Sequence, residues 1–168
     1  MKIQVFLFIV FTSNLFCAEI VAMLKGIENN HKIHMMYKNQ PFICKSYGIE
    51  SISELVIRTD VNSTCVKHLK SFRRSHPKEK YFAQNILHVQ QQYTVEAIGS
   101  LCLLHLSSGH SLSEALIEEG YARIPFTLRY EDFLLEDRFK RALQRAKSTK
   151  AGMWSDANVR NCFLVVPK

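Results

Sequence analysis

The sequence predicts a β-rich α+β domain, a five-stranded barrel of the OB-fold type with about three helices packed against it. Apolar runs typical of strands occur between residues 20 and 50 and again between residues 92 and 106. One helical pattern separates these groups and two more follow them. The 168 residues suit a single domain, and this order of elements fits a small closed barrel.

The first β segment begins with Ile20–Leu24 and continues as a hairpin. Lys32–Tyr37 partly alternates in polarity, and Phe42–Tyr47 forms the returning strand. Lys38–Pro41 between them has the composition of a tight turn, with Asn39 at its most constrained position.

The stretch between the two β segments is strongly basic and harder to assign. Glu54–Ile57 is apolar and fits either a helix or a strand. Asn62–Thr64 is expected to cap a short helix that turns three apolar side chains inward, Val66, Leu69 and Phe72. Pro77 ends this helix, and a second helix is expected to begin near Lys78.

The second helix is expected to turn Phe82, Ile86 and Val89 towards the core. Basic side chains on these helices are candidates for nucleic-acid binding: Lys70, Arg73, Arg74 and Lys78. With Phe72 and Tyr81 they would form a groove for phosphates and stacked bases. The alternative, which we favour, is a solvated helix face with both aromatic rings in the core.

The second β segment is a shorter hairpin. Tyr93–Ala97 alternates in polarity, Gly99-Ser100 forms the turn, and Leu101–Leu106 is apolar enough for a buried strand.

Two helices complete the domain. Ser111 and Glu114 form a capping box at the start of the first helix, and Gly120 stands where a glycine is favoured after a helix end. The last helix of the domain spans about residues 131–149. Its apolar side chains recur at helical spacing, and its basic side chains lie largely elsewhere. Met153-Trp154 is expected to fold back onto the core.

The N-terminus has the features of a secretory signal peptide. Lys2 supplies a positive charge, Val5–Phe11 is an apolar segment too short to span a bilayer, and cleavage is expected after Ala18. This divides the chain into a signal peptide at 1–18 and one domain at 19–168, exported to the periplasm or secreted. Lipidation at Cys17 is a less favoured alternative, and an uncleaved anchor also stays open.

Export determines how the cysteines are interpreted. Four cysteines follow the signal peptide: Cys44, Cys65, Cys102 and Cys162. In an oxidising compartment they are expected to form two disulfides, and three pairings are open. Their spacing matches no common zinc module, and four buried free thiols would require a reducing compartment.

The charge of the chain favours an acidic partner. Its formal net charge is +7, and loss of the signal peptide removes only Lys2, which leaves +6. Nucleic acid, acidic lipid and acidic protein all fit a basic exported domain. No cofactor is predicted from the composition.

Three stretches resemble the staphylococcal nuclease (thermonuclease) family. They are Tyr37–Pro41 in the first hairpin turn, Ser113–Ile124 from the penultimate helix into the next turn, and Ala146–Ser155 at the end of the last helix. The resemblance covers about residues 20–156 and implies that family's fold. It also implies calcium-dependent phosphodiester hydrolysis, with two aspartates on the ion, a glutamate acting on water and two arginines on the phosphate.

The first and last of the family's site motifs are altered in this sequence. The Asp-Gly-Asp-Thr motif falls on Asn29–Lys32, which places His31 at a position of a metal-binding aspartate. The motif that ends in the second arginine falls on Glu96–Ser100, which places Ser100 at that arginine.

The middle motif is altered as well. The first arginine falls on Lys45, which keeps the charge but lacks the guanidinium fork. The second aspartate falls on Glu50, and the glutamate falls on Ser53, beside Glu54. The vestigial site candidates are therefore His31, Lys45, Glu50 and Glu54, with no catalytic residue assigned.

These replacements predict a catalytically degenerate nuclease-like domain that acts in the cell envelope as a binding or structural module for protein or nucleic acid. Loss of one transition-state-stabilising group typically costs ~10²–10³ in rate, and three are lost here. One alternative is a metal-dependent nuclease with a rebuilt site, and Ca²⁺ would be needed only in that case. The other is a sequence-independent nucleic-acid binder without catalysis.

The histidines allow one more interpretation. His31 and His34 are expected to lie on one face of a strand, where they could bind a metal together with Glu50. The favoured alternative is that both are ordinary exposed histidines. His105 and His110 are expected to be structural or solvated.

Overall fold

The computed structural model describes residues 19–58, 63–126, 128, 130 and 132–164. The predicted signal peptide and Cys17 lie outside these residues. The strands are β1 Glu19–Asn29, β2 Lys32–Tyr37, β3 Gln40–Lys45, β4 Glu50–Ser51, β5 Gln92–Ile98, β6 Leu101–Leu104 and β7 Ala122–Arg123. The helices are α1 Ile52–Arg58, α2 Thr64–Ser75, α3 Pro77–Lys80, α4 Phe82–Ile86, α5 Leu112–Glu118, α6 Phe133–Thr149 and α7 Ala157–Leu164, with a short 3-10 helix at Gly152–Ser155.

Five strands form one antiparallel sheet in the order β3-β2-β1-β5-β6, and β4 pairs with β7 in a separate ribbon. The sheet curls until its edge strands β3 and β6 meet. Ser46 forms a parallel bridge with Cys102, the Tyr47 amide donates to the Cys102 carbonyl at 2.8 Å, and Cys44 and Cys102 form a disulfide. The predicted five-stranded OB-like architecture is confirmed.

The first hairpin turns as its composition predicted. Tyr37 and Gln40 pair directly across β2 and β3, and the two residues between them have positive φ, +46° at Lys38 and +63° at Asn39. This left-handed pair matches the right-handed twist of the flanking strands. Ile33 and Met35 on β2 point into the barrel core.

The helix starts follow their capping residues. The Ser63 side chain accepts a hydrogen bond from the Val66 amide at the start of α2. Ser111 and Glu114 form the full capping box at α5. Gly120 has φ +68°, because its predicted position past the helix end requires left-handed backbone.

Two side chains of the basic segment are placed differently from prediction. Val89 is 50 % exposed because α4 already ends at Ile86 and the chain turns towards β5. Tyr81 is 44 % exposed, whereas Phe72 is buried as expected. Tyr81 lies at the junction of α3 and α4, where its ring leaves the buried helix face.

A second apolar cluster lies outside the barrel, between α1, α2, the end of α6 and the C-terminal segment. Its buried members are Ile52, Leu55, Leu69, Phe72, Ala146, Met153, Trp154 and Val159. Met153 and Trp154 therefore fold back as predicted. The C-terminal tail continues as α7, which the sequence pattern did not indicate, and a Cys65–Cys162 disulfide fastens it to α2. Of the three pairings left open by the sequence, the structure has Cys44–Cys102 with Cys65–Cys162. Within the described part of the chain, no helix has the length and apolarity to cross a bilayer.

Candidate functional site

The four vestigial site candidates line one cavity of about 390 Å³. His31 comes from the β1–β2 turn, Lys45 from the end of β3, Glu50 from β4 and Glu54 from the first turn of α1. The fold brings them together because the β1–β2 turn, the end of β3 and the β4–α1 junction meet at one end of the barrel. The mapping of motifs therefore selected neighbouring residues, although it does not establish a role for them.

Glu50 is engaged by a buried arginine. Glu50 and Arg123 are direct partners in the β4–β7 ribbon. Nε and Nη2 of Arg123 both lie 2.8 Å from Glu50 Oε2, and Arg123 is only 5 % exposed. Its guanidinium also lies over the Phe126 ring, 4.7 Å from the centroid. The Glu50 carboxylate, at which the resemblance predicts a metal ligand, is thus neutralised by an arginine of the same chain.

Sequence reasoning missed Arg123 altogether. A possible signal was its location, since it is a single cation inside the otherwise uncharged run Tyr121–Phe126. A charge in such a run is buried with a partner more often than left alone. The partner Glu50 is 73 residues away in the sequence, so it could not be identified without the fold.

His31 belongs to a small hydrogen-bonded group with Ser51 and Glu54. Its Nδ1 lies 3.1 Å from Ser51 Oγ, and its Nε2 lies 3.6 Å from Glu54 Oε1. Burial lowers the pKa of His31, and the opposing effect of the Glu54 carboxylate does not restore it. His31 is therefore a neutral imidazole at pH 7.

Glu54 is also used by the local fold. Its Oε2 accepts hydrogen bonds from the Ser51 amide at 2.9 Å and from Ser51 Oγ at 3.1 Å, while the Glu54 amide donates to Ser51 Oγ at 3.3 Å. This reciprocal arrangement is a capping box at the start of α1. Ser53 contacts the same hydroxyl, with its Oγ 2.8 Å from Ser51 Oγ.

The prediction that His31 and His34 share a strand face is wrong. They are three positions apart, with His31 in the β1–β2 turn and His34 on β2. His31 is buried, which also contradicts the favoured view that it is exposed. His34 is exposed and lies 3.4 Å from Glu28. A site made of both histidines and Glu50 is excluded.

The remaining mapped positions contribute little to the cavity. Ser100 is exposed in the β5–β6 turn. The cavity is lined there by its neighbour Leu101. Lys32 and Lys45 both line the wall. The positive charge near the cavity comes from the ammonium groups of these two lysines and from Arg123, which is paired with Glu50. Among the described residues, no arginine lines the cavity.

The donor set does not fit calcium. Calcium takes six to eight oxygen ligands from carboxylates, carbonyls and water. Here one ligand position offers the imidazole of His31, the Glu50 carboxylate is held by Arg123, and Glu54 caps α1. Two lysines on the same wall add repulsion for a cation.

A separate basic surface is formed by Lys67, Lys70, Arg74 and Lys78, all exposed on α2 and α3. In the part of the chain that the structure describes, no carboxylate forms an ion pair with any of them. Residues 63–91 contain six Lys or Arg and one acidic residue. Their net +5 accounts for most of the charge of the chain.

Arg73, the other predicted member of this surface, is committed to the fold. Its Nε lies 3.2 Å from Oε2 of Glu79, which is buried. Burial raises the pKa of Glu79, and Arg73 opposes that rise. Three of the four cations predicted to bind nucleic acid are therefore exposed: Lys70, Arg74 and Lys78. Arg73 instead forms an ion pair with a buried carboxylate.

The basic face of α6 differs from this surface. Four of its five cations are matched by carboxylates in the pairs Arg138–Glu114, Lys140–Glu136, Arg141–Asp137 and Arg145–Glu118. The fifth, Lys147, lies over the Trp154 ring, 5.0 Å from its centroid. On α2, by contrast, Arg73 is the one cation that forms an ion pair with a carboxylate among the described residues.

Asn30 connects the basic surface to the cavity. It is buried next to His31, its Nδ2 donates to the Glu79 carbonyl, and its Oδ1 accepts from the Ala83 amide at 2.9 Å. One side chain thus fixes α3 and α4 against the β1–β2 turn. Helix α3, which carries Lys78, is thereby fixed against the turn that carries His31.

Comparison with known proteins agrees with this geometry. Residues 24–156 match the profile of the staphylococcal nuclease homologue family, a span from β1 to the end of the 3-10 helix. No curated protein matches the chain significantly. Helix α7 and Cys162 lie beyond the matched span.

Proposed function

The chain belongs to the staphylococcal nuclease homologue family, and we propose that it is an exported member that binds an anionic partner without hydrolysing phosphodiesters. The observation that carries this proposal is the buried ion pair between Glu50 and Arg123. It occupies the one carboxylate that remains at the family's metal-ligand positions.

A metal at Glu50 would have to share the carboxylate with Arg123, whose two contacts are both to Oε2. The adjacent guanidinium charge repels a cation there, and displacing it from this buried pair would cost about 3–5 kcal/mol. The other ligand position offers only neutral His31, a nitrogen donor. The energetic balance therefore favours the internal pair over a calcium ion.

The partner is proposed from the charge distribution. Lys67, Lys70, Arg74 and Lys78 are exposed on one side of α2 and α3, and the exposed Tyr81 ring follows them with Lys80 5.0 Å from its centroid. Cations that follow a phosphate backbone and an aromatic ring that stacks on a base are the components of single-stranded nucleic-acid binding. This supports nucleic acid as the partner class.

Export is supported by the cysteines. All four cysteines of the described residues form the two disulfides Cys44–Cys102 and Cys65–Cys162, and such bonds persist in oxidising compartments. The signal-like segment at residues 1–18 agrees with this. Mass spectrometry of the protein recovered from cell fractions tests the proposal, and an intact residue 1–18 segment on reduced cytoplasmic protein would contradict it.

Loss of hydrolysis is tested with the purified, oxidised protein and labelled single- and double-stranded DNA and RNA, in calcium, magnesium, manganese and zinc in turn. We expect no metal-dependent cleavage. Cleavage that requires metal and disappears in Glu50→Ala would overturn the proposal.

The second candidate function is a nuclease with a rebuilt site. The observation in its favour is that His31, Lys45, Glu50 and Glu54 surround one cavity large enough for a phosphate group. The assay above separates the two, since a rebuilt site predicts cleavage with at least one of the four metals.

Binding is tested by fluorescence anisotropy with a labelled single strand over a salt series. Lys70→Gln/Arg74→Gln should weaken binding and lower the slope of log K against log salt by roughly 1.4, because two phosphate contacts are lost. The matched control is Lys140→Gln/Arg141→Gln, which removes two exposed α6 cations that are already paired. Equal effects of the two double variants would refute the assignment of this surface.

A further inference from the structure

Three potential metal ligands meet on one face of the sheet, away from the cavity. Glu19 begins β1 and is the direct partner of Glu96 on β5. His105 follows β6, pairs opposite Thr94 through its backbone amide at 2.9 Å, and is thus a diagonal neighbour of Glu96. The alternation of β5 turns Val95 into the core and Glu96 to the other face.

The side-chain atoms of this group are close together. One carboxylate oxygen from each glutamate and one ring nitrogen of His105 lie within 4.8 Å of one another. His105 Nε2 is 3.4 Å from Glu96 Oε2. Two donors each about 2.1 Å from a tetrahedral zinc ion are separated by roughly 3.4 Å. The His105–Glu96 pair therefore has the separation of two ligands on one ion, and the Glu19 oxygen lies within 4.8 Å of both atoms.

Two further observations point to a cation. His105 Nε2 is buried, and Glu96 Oε2 at 3.4 Å lies within ion-pair distance of it without the geometry of a hydrogen bond; a buried ring nitrogen normally has a hydrogen-bond partner. Glu19 and Glu96 are like charges placed directly opposite each other, which destabilises a sheet. One metal ion among the three side chains would take the nitrogen as a ligand and place positive charge between the two carboxylates.

We propose that Glu19, Glu96 and His105 form a binding site for a divalent transition metal, with zinc as the ion of reference. One imidazole nitrogen and two carboxylate oxygens suit zinc, whereas calcium takes oxygen ligands only. Three protein ligands leave a fourth position for water or for a group from a partner. The site is independent of the cavity, because Leu101 at the other end of β6 lines that wall.

The test is competition between the purified, oxidised protein and a chromophoric zinc chelator, in a Cys17→Ser background that removes the remaining thiol. We expect one zinc per chain. Glu19→Gln, Glu96→Gln and His105→Gln should each weaken binding at least about tenfold. Cobalt in place of zinc should give visible absorption bands that His105→Gln abolishes.

The matched control is His34→Gln. His34 also has a glutamate, Glu28, 3.4 Å from its ring nitrogen, but no third ligand from the described residues adjoins that pair, so zinc affinity should be unchanged. Glu19→Gln also controls for loss of fold, because Glu19 lies at an exposed strand start and its replacement removes a like-charge contact. The melting temperature of this variant without metal should not fall below that of metal-free wild type. Less than one zinc per chain, or equal affinity in wild type and the three ligand variants, overturns the proposal. Protonation of His105 between the carboxylates without zinc binding overturns it as well.

Discussion

Glu50 and Arg123 are direct partners across β4 and β7, and Oε2 of Glu50 lies 2.8 Å from both Nε and Nη2 of Arg123. This pair holds the two-stranded ribbon together at the wall of the cavity. It also engages the carboxylate at which the family resemblance predicts a metal ligand. The proposed absence of catalysis rests on this contact.

Removing Arg123 should destabilise the protein. Arg123→Met leaves the Glu50 charge buried without its guanidinium, and we expect the free energy of unfolding to fall by about 3 kcal/mol. Urea denaturation of wild type and variant measures the loss. Arg123→Met/Glu50→Gln is the matched control and should recover part of it, because no buried charge remains. Equal loss in the single and double variants would contradict this account.

The glycine after α5 should tolerate no side chain. Gly120 has φ +68°, and an added Cβ would collide with the backbone of Ala151. Gly99 has a similar φ of +58° but open space around it. Gly99→Ala should therefore cost roughly 1 kcal/mol for the left-handed backbone alone, and Gly120→Ala should cost clearly more. Comparable melting temperatures for the two variants would disprove the steric argument.

The Cys65–Cys162 disulfide should act mainly on α7. Replacing both cysteines with serine removes a crosslink with a sequence separation of 97 residues, and we expect a loss of about 2–4 kcal/mol. Because the barrel is closed separately by Cys44–Cys102, hydrogen exchange should accelerate in residues 157–162 and stay slow in β1 and β5. Uniform acceleration over the whole chain would show that α7 is not a separate unit.

His31 should make stability depend on pH in a defined direction. Burial lowers the folded-state pKa of His31 below the unfolded value of about 6.5. The unfolded chain therefore binds more protons between the two pKa values, and stability falls as pH drops below about 6.5. His31→Gln should reduce this dependence, measured by urea denaturation at several pH values. His34→Gln, at an exposed position, should leave it unchanged; equal slopes in wild type and His31→Gln would refute the prediction.

Local patterns predicted those elements whose determinants lie close in the chain. The Lys38–Asn39 turn, the capping boxes and Gly120 depend on backbone conformations and hydrogen bonds within a few residues. Predictions failed where the outcome depends on distant packing. Tyr81 and Val89 fit an apolar helix face by spacing, yet α4 ends before Val89, and Tyr81 lies at a helix junction.

The candidate site divides in the same way. Counting along motifs selected His31, Lys45, Glu50 and Glu54, which do line one cavity. It could not reveal Arg123, which is distant in sequence from Glu50, nor that Arg73 serves a buried carboxylate while Arg74 stays exposed. Charge counts give the number of cations, but only contacts decide which of them are already neutralised.

The sequence by itself determined the family, the order of the five main strands, and the number of cysteines that can pair. These follow from residue identity and short-range spacing. The tertiary structure alone decided the disulfide pairing, the burial of Arg123 against Glu50, the unmatched charge on α2 and the meeting of Glu19, Glu96 and His105. Each of these depends on distances between residues far apart in the chain, and such distances are determined by packing of the whole domain.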